Sequence, residues 1–144
     1  MKMINKKEAE KLLEEWQERL GLQDYAIALR YNCKFSDLET QESCGETVWV
    51  NSIKTATIRI ISEEEHGNDR VLDYDFEKTL VHELLHIKFG LVDMLYNTYE
   101  SKVVDEVRHQ LIDDLARALI MAKRGETKRK LAKNCRKVKD INEN

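Results

Sequence analysis

Asp75-Phe-Glu-Lys-Thr-Leu-Val-His-Glu-Leu-Leu-His-Ile-Lys-Phe-Gly90 is the stretch whose reading decides the fold. Leu80, Val81, Leu84, Leu85, Ile87 and Phe89 fall on several faces of a 3.6-residue period, so the pattern predicts a helix buried on more than one side. Asp75 carries the short acceptor side chain of an N-cap, and Gly90 stands where a C-terminal cap glycine would end the helix. Inside it, His82 and His86 are four residues apart. That spacing stacks their side chains on one face, with Cβ atoms roughly 5 to 6 Å apart.

Two imidazoles so placed can converge on one metal ion. Zinc accepts histidine nitrogen at about 2.0 to 2.1 Å, and a catalytic zinc keeps one position open beside three protein ligands. Glu83 projects from the neighbouring face, where it reaches a water activated by the metal rather than the metal itself, the geometry of a general base. His-Glu-x-x-His on a helix is the pattern of a zinc peptidase. The competing reading is two core histidines satisfied by protein hydrogen bonds. Burial favours the metal, because two imidazoles and a carboxylate in an apolar helix need partners.

Around this helix the chain reads as one domain with a tail. Asn5 with Glu8 three residues later resembles a capping arrangement, and Leu12, Leu13, Trp16 and Leu20 recur at helical spacing until Gly21. Tyr25-Ala-Ile-Ala-Leu-Arg-Tyr31, Glu46-Thr-Val-Trp-Val-Asn51 and Thr55-Ala-Thr-Ile-Arg-Ile-Ile61 then read as three strands. Gly67, Asn68 and the acids around them mark a loop before Asp75. After Gly90 a connector from 91 to about 97 leads to a long helix, from about Tyr99 to Arg124, closed by Gly125. Val104, Val107, Leu111, Leu115 and Ala118 form its main apolar stripe. A neighbouring arc holds Asp105, His109, Ile112, Ala116 and Ile120, which makes His109 a candidate third ligand.

Composition narrows the class further. The chain has 144 residues, 42% hydrophobic and 35% charged, enough for a single core. No apolar run is long enough to span a bilayer and the start leads into a charged helix, so a cytoplasmic, non-membrane protein is expected. Cys33, Cys44 and Cys135 are odd in number and widely spaced, which suggests reduced thiols rather than a disulfide framework or zinc ribbon. Residues 126–144 hold seven Lys or Arg against three acids, whereas the first 125 hold 17 against 24. A basic tail of this kind is most often solvated and partly disordered, with contact to nucleic acid the functional alternative.

Taken together, Leu20-Gly-Leu-Gln-Asp-Tyr25, Ala56-Thr-Ile-Arg-Ile60, Thr79-Leu-Val-His-Glu-Leu-Leu-His86 and His109-Gln-Leu-Ile-Asp-Asp-Leu-Ala-Arg-Ala-Leu119 resemble a small metallopeptidase-like family common in phages and other mobile elements, within the gluzincin-like zincins. The resemblance covers about residues 16–119, and only the His-Glu block is specific. It implies an α+β zincin-like domain over residues 1–125: an N-terminal helix, a small twisted sheet of three to four strands, the motif helix and a long C-terminal helix. It implies that the strand with Ile58 and Ile60 borders the cleft and pairs with an extended substrate. The family commonly has glutamate where this chain has His109, so the third ligand is ranked His109, then Glu106, then Glu100, a departure that bears on activity because a third histidine leaves the site more positive. Phe89 and Val92 stand where a metzincin would need glycine and histidine.

The expectation is therefore zinc-dependent hydrolysis of a peptide or protein substrate, with His82, His86 and His109 holding Zn²⁺ and Glu83 as general base. Tyr96 and Tyr99 are candidates to steady the oxyanion. The rivals are a zinc-stabilised regulatory or binding module without catalysis, a nucleic-acid-binding protein using the tail, and an RNA-processing metalloenzyme. Nickel, cobalt or iron would also suit the donors. Oligomeric state is left open by the sequence.

Overall fold

The computed structural model describes residues 3–40, 43–67, 73–96 and 102–125 and shows an α+β arrangement. Helix α1, Lys6–Leu20, is followed by strands β1, Ala26–Cys33, β2, Gly45–Val50, and β3, Thr55–Ile61; then come the short helix α2, Glu63–His66, and the long helices α3, Phe76–Tyr96, and α4, Lys102–Lys123. Local chemistry explains most boundaries. Asn5 caps α1 by accepting a hydrogen bond from the Glu8 amide at 2.9 Å, and Gly21 ends it at φ 65°, a left-handed conformation that glycine adopts without strain. Asp75 accepts from the Lys78 amide at 3.0 Å at the start of α3. Helix α2 forms where the sequence reads as loop. Ser62 caps it by accepting from the Glu65 amide at 3.1 Å, a signal too short to register as periodicity.

The sheet has three strands in the order β1-β3-β2, with β1 parallel and β2 antiparallel to β3. This corrects the expectation for the strand of Ile58 and Ile60. It is β3, the central strand, whose main-chain groups are spent on both neighbours, so an added peptide strand cannot join it. Among the described residues the sheet's edges are β1 and β2. One face, with Ile27, Leu29, Ala56, Ile58 and Ile60, packs towards the helices, while Ala26, Ala28, Val48 and Val50 face outwards.

Helix α3 fills the centre, with Leu80, Val81, Leu84, Leu85 and Ile87 all buried as their spacing predicts, and contacts α1, β2, β3 and α4. Its first turn is clamped to the two other long helices. The buried Trp16 of α1 donates its indole N–H to Glu77 Oε1 at 2.8 Å; Lys123 and Arg124 at the end of α4 pair with Glu77, and Arg124 also with Asp75 at 3.0 Å.

Two readings of glycine and periodicity need correction. Gly90 does not cap α3, which runs on to Tyr96 through the expected connector. A Cβ there would overlap the Trp49 indole nitrogen, so this glycine serves the close approach of β2 to the helix. In α4 the buried residues are Ile112, Ala116 and Ile120, at 5% exposure or less, while Val107, Leu111 and Leu115 are 49, 57 and 41% exposed. The arc that faces inwards is therefore the one that carries His109.

Cys33 and Cys44 lie on opposite sides of β3: Cys33 is in register with Ile61, and the Ile61 amide donates to the Cys44 carbonyl at 3.0 Å. Two strand spacings, roughly 9 to 10 Å, separate them, beyond the reach of a disulfide between the two. No helix among the described residues is long and apolar enough to cross a membrane.

Candidate metal centre

The helical spacing of His82 and His86 brings their Nε2 atoms to 3.2 Å. His109 enters from α4, with ring centroids 5.2 Å from His86 and 6.4 Å from His82. One ring nitrogen from each of the three lies within 4.8 Å of the others, and among the described residues no other His, Cys, Asp or Glu trio converges in this way. Nitrogen ligands at zinc distances in tetrahedral array sit about 3.3 Å apart, so the α3 pair already has that separation and His109 stands slightly outside it. Glu106 is exposed and outside the trio, while Glu100 and Tyr99 lie outside the described residues, as do residues 126–144 and the side chain of Tyr96.

Electrostatics keeps the two α3 rings as lone-pair donors. Burial first, and then the mutual repulsion of the three imidazoles, pushes His86 down to about 4, and burial holds His82 below its ordinary value despite Asp113. At neutral pH both are uncharged, the form that binds metal. Asp113, one turn on from His109, brings Oδ1 to 3.6 Å from His82 Nδ1, on the ring edge opposite His86. Lys78 at 3.3 Å and Arg117 at 2.9 Å hold that carboxylate. Burial pushes its pKa up, but the two cations outweigh this and keep it low. A carboxylate there favours the tautomer with hydrogen on Nδ1 and the lone pair on Nε2, facing the other rings.

Glu83 faces the sheet and is 5% exposed. Its Oε2 accepts from Thr47 Oγ1 of β2 at 2.5 Å, and its other oxygen lies against Gly45, where a Cβ would come within 2.8 Å. Burial, with a smaller push from Glu46 and against the Thr47 hydrogen bond, raises its pKa to about 7, poised for proton transfer near neutrality. Beside the trio a cleft of ≈ 560 Å³ is lined by His82, His109, Gln110, Asp113 and Asp114.

Asp113, Thr47 and Gly45 were not singled out from the sequence. Asp113 could have been found as the residue four beyond His109, whereas nothing local marks Thr47 or Gly45, which meet Glu83 only through tertiary packing. His66, the fourth histidine, takes no part: it is buried against Tyr74, with Nδ1 3.0 Å from the Gly67 carbonyl oxygen. Compared with known proteins, the chain matches no family model, no curated sequence and no solved structure.

Proposed function

We propose that this chain is a zinc-dependent peptidase of zincin-like fold. The observation that carries the reading is the convergence of His82, His86 and His109, from two helices, with a buried glutamate next in sequence to His82. The donor set fits zinc: three imidazoles, the two on α3 neutral and already at ligand separation, with a carboxylate behind one of them. Zinc, when bound, supplies Lewis acidity that polarises a scissile carbonyl and lowers the pKa of water. Glu83 then acts as general base, taking a proton from water and returning it to the leaving amine. The likeness to the mobile-element family rests on the sequence motifs, and the odd number and wide spacing of the cysteines suit a reducing, cytoplasmic setting. An extended peptide would add to the outer edge of β2, the edge strand that holds Glu83, rather than to β3.

The burial of Glu83 favours one rival, a zinc-stabilised binding module in which the carboxylate only braces β2. Metal analysis of protein purified without chelator, with proteolysis of labelled casein by wild type and Glu83→Gln, separates these readings. The proposal expects about one equivalent of zinc in both proteins and proteolysis in wild type alone. Zinc with no proteolysis in either supports the module, and absence of zinc refutes both.

A further inference from the structure

Glutamate has three side-chain torsions, and a general base must hold its carboxylate within a few tenths of an ångström of one place. The motif itself supplies no such restraint. Among the described residues Thr47 is the only hydrogen-bond partner of the Glu83 side chain. The same hydroxyl lies 3.3 Å from the Glu83 carbonyl oxygen. A hydroxyl donates one hydrogen and accepts at its lone pairs, so it can donate to the carboxylate, or accept from the acid while turning its hydrogen to that carbonyl.

Gly45, two residues earlier on the same strand face, gives a second, independent observation. Its backbone is not in the left-handed region, so the turn chemistry that often demands glycine does not apply. Glycine inside a strand weakens it and marks a close approach. The approach here is to the base: an added Cβ would stand 2.8 Å from Glu83 Oε1, 3.0 Å from Glu83 Cγ and 3.0 Å from Thr79 Cγ2.

From this geometry we infer that Thr47 and Gly45 of β2 are positioning residues for the general base, the hydroxyl fixing one carboxylate oxygen and the bare Cα admitting the other. The inference rests on the peptidase reading and deepens it. The test uses the zinc-loaded full chain as wild type, Thr47→Val, Thr47→Ser and Gly45→Ala, measuring zinc content, casein turnover and calorimetric affinity for acetohydroxamate. That probe binds zinc and hydrogen-bonds a neighbouring carboxylate, so its affinity reports the placement of Glu83 without a substrate. Zinc content is expected to be equal throughout. In Thr47→Val, kcat and hydroxamate affinity should each fall about tenfold, the worth of one hydrogen bond to a charged group, with KM little changed. Thr47→Ser should restore both to within about twofold, and Gly45→Ala should follow the valine variant. Equal hydroxamate affinity in wild type and Thr47→Val, or failure of serine to rescue, overturns the inference. Zinc-loaded wild type that cleaves nothing yet shows the valine-to-serine pattern refutes the peptidase reading alone.

Discussion

Replacing Glu83 with Gln should make the metal-free protein more stable above neutral pH, and reveal a pH dependence that the native pair of groups conceals. Glu83 keeps its proton to about pH 7 in the folded state, against 4.5 for the ordinary group. At about 1.36 kcal/mol per unit, its ionisation costs the fold about 3 kcal/mol. The folded state binds the extra proton between those values. This contribution is therefore fully present below pH 4.5 and lost as pH rises through 7. His86 runs the other way: its folded value of about 4 lies below the ordinary 6.5, so its contribution is present above 6.5 and lost as pH falls through 4. Its size is similar, about 2 to 3 kcal/mol. The two slopes overlap between pH 4.5 and 6.5 and largely cancel there, leaving wild-type stability nearly flat. In Glu83→Gln only the histidine slope survives, so stability should climb by about 2 to 3 kcal/mol from pH 4 to 6.5 and exceed wild type by about 3 kcal/mol at pH 8. Urea unfolding followed by the fluorescence of Trp16 and Trp49, with chelator present, measures this directly. Parallel pH curves for the two proteins would refute the reasoning, because they would mean that Glu83 ionises in the folded state without penalty.

Three further outcomes follow from the packing. Asp113→Asn should weaken zinc binding by about 10- to 100-fold in a chelator competition, through loss of the carboxylate behind His82. Gly90→Ala should lower unfolding free energy by about 1 to 3 kcal/mol, because the methyl group overlaps the Trp49 indole. Ile112→Ala should cost about 2 to 5 kcal/mol whereas Leu111→Gln should cost about 0.5 kcal/mol or less, both by denaturant titration; the reverse order would place the other arc of α4 inside.

What could be read from the chain was whatever local spacing encodes. The caps at Asn5 and Asp75, the alternation in β1 and β3, and the four-residue interval of His82 and His86 each depend on residues within one or two turns, and the structure has them as expected. His109 was found because it shares an arc with Ile112 and Ala116. The errors have a common origin in partners distant along the chain. Helix α4 carries two apolar arcs, and periodicity cannot say which one meets α3. Gly90 has the same letter whether it ends a helix or makes room for Trp49, some forty residues earlier. Strand order is likewise non-local, so β3 was given the edge role that its two neighbours deny it. Thr47 and Gly45 gain meaning only once β2 lies on α3.

The site draws its parts from two different supports, since Glu83 is held by the sheet through β2 while the third imidazole rides on α4. With an ion held by the three rings, a small shift of α4 would loosen its grip and leave Glu83 where it is; a change in β2 would do the opposite. On the proposed reading, affinity for metal and strength as a base can therefore be tuned separately, by substitutions on opposite flanks of a single helix.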